Sequence, residues 1–254
     1  MVFTARIFAR STNTNPLPYA FMFKFKQFTI KQERCAMKVG TDGCLLGAWA
    51  DIAGSKHILD IGCGSGLIAI MAAQRSGARI TAVEIDKEAA AQARENADAS
   101  PWKERIEIVN ADILGYRSSQ PFDAIVSNPP FFIGSLKCPD AARTTARHDS
   151  TLPCSALMQC AKELLADGGT LSVVIPADIC ELWCNEALFK GLSTRRILRV
   201  RTLPHKLPKR VLVEFVKGVH TQPEIKDFIL EDSPGQYSSE AKELLRDFYI
   251  KITD

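Results

Sequence analysis

The segment Asn128-Pro129-Pro130-Phe131 combines groups that can bind and orient an amino nitrogen. The Asn128 side-chain oxygen and the Pro129 carbonyl oxygen can each accept an N–H bond, which would localise the lone pair of a base or amide nitrogen. The two prolines stiffen the chain, so the carbonyl direction is set before a substrate arrives. Phe131 offers an apolar plane on which a nucleobase can stack. The segment predicts a site for an amino nitrogen, although Asn-Pro-Pro alone is also an ordinary turn.

A second candidate site is the glycine-rich stretch of residues 57–70, HILDIGCGSGLIAI. An apolar run ends in Asp60, and Gly62, Gly64 and Gly66 then open a new apolar run at helical spacing. This order predicts a strand, a glycine loop and a helix, in which backbone N–H groups at the helix N-terminus can approach a ligand closely. The spacing also satisfies the G-x-G-x-x-A fingerprint of dinucleotide-binding folds, so the glycines alone do not decide the ligand.

Acidic residues follow the next predicted strands. Glu84 ends a strand over residues 79–84 and lies 20 residues beyond Gly64, the separation at which an acid meets ribose hydroxyls in such folds. A carboxylate only accepts hydrogen bonds, so it suits two neighbouring O–H donors. Asp112 follows the strand over residues 105–109. It is the weaker candidate, because an acid after a strand is often only a cap.

Alternating strands and helices position these residues. Residues 36–50 pass from a Gly-Thr-Asp turn into a short helix, for which Thr41 or Asp42 is the expected N-cap. FMFKFKQFTI, from Phe21, predicts an edge strand or hairpin arm. Further helices are predicted over residues 67–76, 86–99, 154–166, 178–190 and 238–248. Strands are predicted over Asp123 to Ser127, in GGTLSVVIP, and in TRRILRVRTL and RVLVEFVK, the last two joined by PHKLPK. The pattern indicates an α/β fold.

Charge is unevenly distributed along the chain. The formal net charge is +3, yet residues 1–38 hold seven Lys and Arg against one Glu, and residues 190–217 hold nine against one Glu. This segregation favours a polyanionic partner such as nucleic acid. Unrelated solvated faces are the alternative.

The loop of residues 132–152 carries Arg143 and Arg147, and its length predicts a binding lid.

Composition excludes several classes of protein. No run approaches eighteen apolar residues, so a membrane span is not expected. Residues 1–21 have no apolar core of signal-peptide length and predict a disordered extension; translation that starts at Met22 is the alternative. The eight cysteines include no C-x-x-C pair and predict reduced, buried thiols of a cytoplasmic protein. Cys180 and Cys184 lie one helical turn apart, but no further ligand completes a metal site.

D-x-G-x-G-x-G, an acid ending the second strand of the core and Asn-Pro-Pro-Phe after the fourth together resemble class I S-adenosylmethionine-dependent methyltransferases that methylate amino groups. KQF, RCAMKVGTDG, LLGAWA, SNPPF, LP-x-RVL and YSSEA resemble the bacterial tRNA(Val) adenine-N6 methyltransferases, over residues 22–254. The resemblance implies a doubly wound, Rossmann-like α/β sheet of seven strands with an antiparallel final strand. It also implies one domain over residues 22–254 with an N-terminal arm (22–50), S-adenosylmethionine as cofactor, and tRNA as partner. We expect a monomer without a metal.

The predicted site residues fall into three groups. The resemblance assigns catalysis to Asn128, Pro129, Pro130 and Phe131. It assigns cofactor binding to Lys38, Thr41, Asp42, Asp60, Gly62, Gly64, Gly66, Glu84, Asp112 and Asn128, with Asp112 accepting from the adenine amino group. The basic segments and the long loop predict RNA contacts by Arg143, Arg147, Lys206, Lys209 and Arg210. Phe131 stands where close relatives often have Tyr, and Cys63 where a small Ala is common.

Other classes stay open. Asn-Pro-Pro-Phe also occurs in ribosomal RNA methyltransferases that act on guanine N2 or adenine N6, so the motif indicates the reaction and does not specify the base. Release-factor glutamine methyltransferases share Asn-Pro-Pro-Tyr but resemble a longer chain with a helical N-terminal domain. A nicotinamide oxidoreductase would explain Gly64 and Glu84 but not Asn128. A non-catalytic RNA-binding protein would explain the charge but not the two acids.

Overall fold

The structure is a computed structural model that describes residues 22–130, 152–220 and 222–252. Three predicted site residues, Phe131, Arg143 and Arg147, lie outside these ranges. The predicted extension of residues 1–21 and nearly all of the predicted lid also lie outside them.

In chain order, the elements up to residue 217 and the last helix agree closely with the predicted ones, while three strands between residues 224 and 237 were not predicted. The elements are β1 (Met22–Lys24), β2 (Thr29–Lys31), α1 (Thr41–Trp49), β3 (His57–Ile61), α2 (Leu67–Arg75), β4 (Arg79–Glu84), α3 (Lys87–Asp98), β5 (Ile106–Asn110), β6 (Phe122–Ser127), α4 (Cys154–Leu164), β7 (Leu165–Pro176), α5 (Cys180–Phe189), β8 (Leu192–Arg201), β9 (Arg210–Lys217), β10 (Glu224–Ile229), β11 (Glu231–Ser233), β12 (Gln236–Tyr237) and α6 (Ser239–Leu245). Short 3₁₀ turns cover Lys103–Arg105 and Ala177–Ile179.

The main sheet has the order β10-β8-β9-β7-β6-β3-β4-β5. Strands β3 to β7 pair in parallel, and β9 is antiparallel to both β7 and β8, which confirms the doubly wound sheet with an antiparallel late strand. The count of seven strands was one too low. The eighth strand, β10, adds in parallel to the outer edge of β8. Most of its side chains are exposed, and Phe228 is the buried one that anchors it.

Helices cover both faces of this sheet because its strands are apolar on both sides. Ile58 and Val126 face the core under α1, α2, α3 and α6. Leu59 and Ile125 face the second core, under α4 and α5. This alternation follows from the two-residue period of a strand.

The N-terminal arm is a hairpin fastened to the main body. β1 and β2 pair antiparallel, as the alternating pattern predicts. The rings of Phe25 and Phe28 stack at 4.5 Å between centroids. The buried side chain of Asn96, on α3, accepts from the Lys31 N–H group at 2.9 Å and donates to the carbonyls of Lys31 and Ser65, both at 2.8 Å. One amide therefore joins the arm to the glycine loop.

The start of α1 differs from the prediction. Its N-cap is Gly40, without a side-chain cap bond, and Thr41 and Asp42 are the first helical residues. The Asp42 carboxylate instead accepts from Nε of Arg210, at 2.8 Å. A partner distant in sequence has replaced the local capping bond.

A buried charge holds the other end of α1 near the sheet. Glu214, on β9, is fully buried, and Arg196 donates to its two carboxylate oxygens at 2.9 and 2.6 Å. Ser172 donates to the same carboxylate at 3.2 Å. The Arg196 guanidinium also lies 4.2 Å from the centroid of the Trp49 ring, at the end of α1. The ion pair thus joins β8, β9 and α1.

Arg196→Ala is expected to lower the free energy of unfolding by about 3 kcal/mol, because it leaves Glu214 buried without its main partner. Urea denaturation measures this loss. Arg199→Ala is the matched control, since its pair with Asp227 is exposed, and should cost less than about 1 kcal/mol. If both variants lost the same small amount of unfolding free energy, the Arg196–Glu214 pair would not stabilise the fold more than an exposed pair does.

Candidate active site

The carboxyl ends of β3, β4, β5 and β6 lie at one edge of the sheet because these neighbouring strands are parallel. Asp60, Glu84 and Asn128 lie at or directly after these ends. Ligands bind at such edges in open α/β sheets. The structure thus brings together the acids, the glycine loop and the Asn-Pro-Pro segment.

The glycine loop between β3 and α2 has left-handed backbone at three positions. Gly62, Gly64 and Gly66 have φ angles of 70°, 55° and 80°. At Gly66 an added Cβ would lie 3.3 Å from the Cβ of Ala93, so α3 packs directly on the loop. At Gly62 and Gly64 nothing lies within 4 Å of an added Cβ. The outer surface of the loop is therefore open backbone, which a ligand can approach.

The Glu84 carboxylate organises this loop. It is almost fully buried and accepts from the Gly64 N–H group at 2.8 Å and from the Asp86 N–H group at 2.9 Å. Asp86 in turn caps α3 by accepting from Ala89 at 2.8 Å. Asn110, at the end of β5, donates to the carbonyls of Glu84 and Ile85. Because a carboxylate has about four acceptor positions, Glu84 keeps capacity for further donors.

Asp60 has one satisfied and one unsatisfied oxygen. Its side chain is fully buried; Oδ2 accepts from the Ala69 N–H group at 3.0 Å, while Oδ1 has no hydrogen-bond partner among the described residues. Burial raises the pKa of Asp60 to about 7, against the smaller effect of the bond from Ala69. A buried acceptor without a partner is costly, so Oδ1 is a position where a bound ligand can donate.

Asn128 lies beside the first turn of α1. Its side-chain nitrogen donates to the sulfur of Met37 at 3.8 Å, and an added Cβ at Gly43 would lie 3.7 Å from the same nitrogen. Pro129 is buried and Pro130 is exposed. With its nitrogen directed at Met37, the Asn128 amide can offer its oxygen to a substrate.

Three predicted cofactor residues have partners within the chain. The Lys38 ammonium donates to the carbonyls of Gln32 and Cys35 at 2.6 and 2.9 Å, which closes the loop after β2. Asp42 pairs with Arg210. The exposed Asp112 accepts from the Leu114 N–H group at 2.9 Å, forming a local turn and not a helix cap. Thr41 is exposed at the start of α1.

Three exposed apolar residues near the strand ends were not predicted as part of the site. Ile85, after Glu84, and Leu114, after Asp112, are exposed by half or more, and so is Met37, against Asn128. Exposed apolar side chains next to polar ligand positions suit a flat ring such as a nucleobase. For Ile85 the available signal was its position directly after the strand-ending acid Glu84; Leu114 and Met37 had no such signal.

The basic stretch of residues 190–217 is largely neutralised within the chain. Its ion pairs are Arg195 with Asp51 and Glu214, Arg196 with Glu214, Arg199 and Arg201 with Asp227, Arg210 with Asp42, and Lys217 with Asp167. Lys206 and Lys209 are exposed in the loop between β8 and β9. The charge count therefore overstated the free positive charge of this stretch. Among residues 190–217, Lys190, Lys206 and Lys209 have no ion pair with a residue that the structure describes, and the last two lie in this loop.

Over residues 22–130, 152–220 and 222–252, no three metal-binding side chains form a group that could hold an ion. The seven cysteines of these ranges are free thiols: four are buried, as predicted, while Cys154, Cys180 and Cys184 are half-buried. No helix among the same residues has the length and apolarity needed to span a membrane.

Comparison with known proteins agrees with this geometry. Residues 44–192 match the model of the methyltransferase small domain family, which defines the class as methyltransferases. The chain is 48% identical to the tRNA1(Val) (adenine(37)-N6)-methyltransferase of Bacteroides thetaiotaomicron, over 91% of this chain and 98% of the relative. It is 45% identical to the protein of the same name from Trichodesmium erythraeum, over 90% and 98%. The chain belongs to this family of tRNA1(Val) (adenine(37)-N6)-methyltransferases.

A solved structure supports the fold independently. A predicted O-methyltransferase from Agrobacterium tumefaciens superposes with a TM-score of 0.62, covering 82% of this chain and 96% of that one, at 21% identity. At this identity the similarity shows the class I methyltransferase fold alone.

Asp60→Asn is expected to remove a pH-dependent contribution to stability. Because the pKa of Asp60 is raised from 3.8 to about 7 in the folded protein, the folded state binds its proton more tightly than the unfolded state does. That stabilisation is fully present below about pH 4 and is lost as the pH rises through about 7. As the pH rises from about 4 to about 7, the unfolding free energy of wild type should therefore fall relative to that of Asp60→Asn. A difference that does not vary with pH in parallel urea titrations would contradict the raised pKa.

Proposed function

We propose that this protein transfers the methyl group of S-adenosylmethionine to N6 of adenine 37 in tRNA1(Val). The observation that carries the proposal is the position of Asn128-Pro129-Pro130 at the sheet edge that also holds the glycine loop and Glu84. The names of relatives nearly half identical over almost the whole chain support the substrate.

The residues around the glycine loop fit S-adenosylmethionine, which supplies an activated methyl group on its sulfonium sulfur. Gly62 and Gly64 leave open backbone, and Gly66 lets α3 pack closely. Glu84 keeps acceptor positions for two ribose hydroxyls. The free Oδ1 of Asp60 provides a further acceptor.

The remaining predicted cofactor residues are assigned contacts that are compatible with the hydrogen bonds and ion pairs they make in the structure. Ile85 and Leu114 provide apolar walls for the adenine ring, and Asp112 accepts from its amino group. Thr41 and Asp42 lie on the α1 side, where Asp42 meets the ammonium group while also pairing with Arg210. Lys38 stabilises the loop that precedes α1, because its ammonium group donates to two carbonyls of that loop.

The Asn128 oxygen and the Pro129 carbonyl would accept the two N–H bonds of the adenine amino group. This would make the nitrogen lone pair available for in-line attack on the methyl carbon. The sulfur would keep the electron pair of the broken S–C bond, and the methylated nitrogen would release one proton to solvent, so that no strong base is required. The bond from the Asn128 nitrogen to Met37 favours this orientation of the amide. We assign Phe131 to stacking of the target base, with Pro130 completing the rigid turn.

RNA contacts are proposed on the same edge. β8 ends and β9 begins there, so the loop with Lys206 and Lys209 borders the site, and Arg210 is linked to α1. Arg143 and Arg147 keep their predicted role as phosphate contacts.

We propose further that one domain over residues 22–254 acts as a monomer without a metal, with residues 1–21 as an extension. A tRNA substrate and free thiols support action in the cytoplasm.

Asn128→Ala is expected to reduce the turnover number by at least about a hundredfold with a much smaller change in S-adenosylmethionine affinity, because the amide oxygen holds the nucleophile while the cofactor has many other contacts. Single-turnover methylation and calorimetry measure the two quantities. Asn185→Ala, at an exposed position on α5, is the control. Turnover retained in Asn128→Ala would refute the catalytic assignment.

The substrate is tested by offering bulk tRNA, naked ribosomal RNA, duplex DNA and a release factor separately with labelled cofactor. N6-methyladenosine in tRNA is expected from nucleoside mass spectrometry, with activity falling as salt rises because phosphate contacts release counterions. The Asn128→Ala protein gives the background. Methylguanosine in ribosomal RNA, with unlabelled tRNA, would establish the ribosomal alternative in its place.

A further inference from the structure

Leu207 is an exposed apolar residue in a basic loop. Its side chain is 81% exposed, and it lies in the loop of residues 202–209 between Lys206 and Lys209. Single exposed leucines are common on protein surfaces, so exposure alone has no functional meaning. The flanking charges, the structure of the loop and its place in the fold distinguish this residue.

The loop is held in shape. Lys206 donates its N–H group to the Leu203 carbonyl at 3.0 Å, and Lys209 donates to the Val200 carbonyl at 3.3 Å. The Lys209 carbonyl accepts from the Ala177 N–H group at 3.2 Å. Pro204 and Pro208 restrict the backbone on either side of the apolar residue. These hydrogen bonds and prolines therefore hold Leu207 on a turn of defined conformation.

The turn borders the site that contains Asn128. Arg210, three residues after Leu207, donates to Asp42 at 2.8 Å. Gly43, the residue after Asp42, lies close to the side-chain nitrogen of Asn128, because a Cβ added at Gly43 would lie 3.7 Å from that nitrogen. Leu207 therefore lies at the same edge of the sheet as Asn128, in a loop that the Arg210–Asp42 pair joins to α1.

We propose that Leu207 is a wedge that enters the RNA loop beside the target adenosine and occupies the space left when that base turns into the site. The inference rests on the proposed function. A base must leave its stack to reach an enzyme site, at a cost in lost stacking, and apolar side chains inserted between bases offset such a cost. Lys206 and Lys209 would bind the phosphates on either side, and Leu207 acts as a positioning residue.

The experiment compares Leu207→Ser with wild type. kcat/KM for tRNA should fall by about 5- to 150-fold, the range that the loss of one side-chain contact with a base would produce, with unchanged S-adenosylmethionine affinity. Leu207→Met, which keeps an apolar side chain of similar volume, should restore activity. Leu188→Ser is the matched control, because Leu188 is 59% exposed at the end of α5, on the opposite edge of the sheet.

Two further readouts separate a wedge from a general structural role. A tRNA1(Val) carrying 2-aminopurine at position 37 should fluoresce more strongly when wild type binds, because the base leaves its stack, and less so with Leu207→Ser. On a short unstructured RNA, whose adenosine needs no unstacking, wild type and Leu207→Ser should methylate at similar rates.

Equal kcat/KM on tRNA and equal fluorescence for wild type and Leu207→Ser would overturn the wedge while leaving the proposed function intact. An equal loss in Leu188→Ser, or a loss on the unstructured RNA as large as on tRNA, would also overturn it. If wild type methylated no tRNA, the proposed function would fail, and the wedge with it.

Discussion

The hydrogen bond from the Gly64 N–H group to the Glu84 carboxylate sets the geometry on which the site depends. It requires β3 and β4 to be paired in parallel, with Ile61 opposite Val83, and a left-handed residue in the loop. The same carboxylate accepts from Asp86, so it also defines the start of α3. The Glu84 carboxylate therefore fixes the glycine loop, the end of β4 and the start of α3 relative to one another. The position of a ligand at this edge of the sheet depends on that arrangement.

Helix α1 is the second component of the site, and distant strands determine its position. The Asp42–Arg210 pair holds its first turn, and Arg196 contacts Trp49 at its end. Gly43 can then approach Asn128 without a side chain between them. The face of α1 towards Asn128 is therefore fixed by β8 and β9, more than 140 residues further along the chain.

The sequence was sufficient for the central strands, the glycine loop and most helices, because Ile58, Leu59 and their neighbours follow local periodicities. It failed where a distant partner displaced a local preference: Asp42 had the chemistry of a cap, but Arg210, 168 residues away, binds its carboxylate. The strand β10 was missed because Glu224, Lys226 and Asp227 interrupt its apolar residues, of which only Phe228 is buried. The basic segment was overestimated for a related reason, since a count of charges does not show that Asp227 and Glu214 lie opposite the arginines.

The amide of Asn96 has a consequence for the order in which the chain acquires its structure. Its three hydrogen bonds connect Lys31 and Ser65 to α3. During synthesis the hairpin and the glycine loop are both made before residue 96 exists, so neither has its buried anchor until α3 leaves the ribosome. Since chains emerge from the N-terminus at about 5–20 residues per second, the nascent arm passes several seconds without this link, and Ser65 in the glycine loop also lacks its bond to Asn96 until α3 has been made.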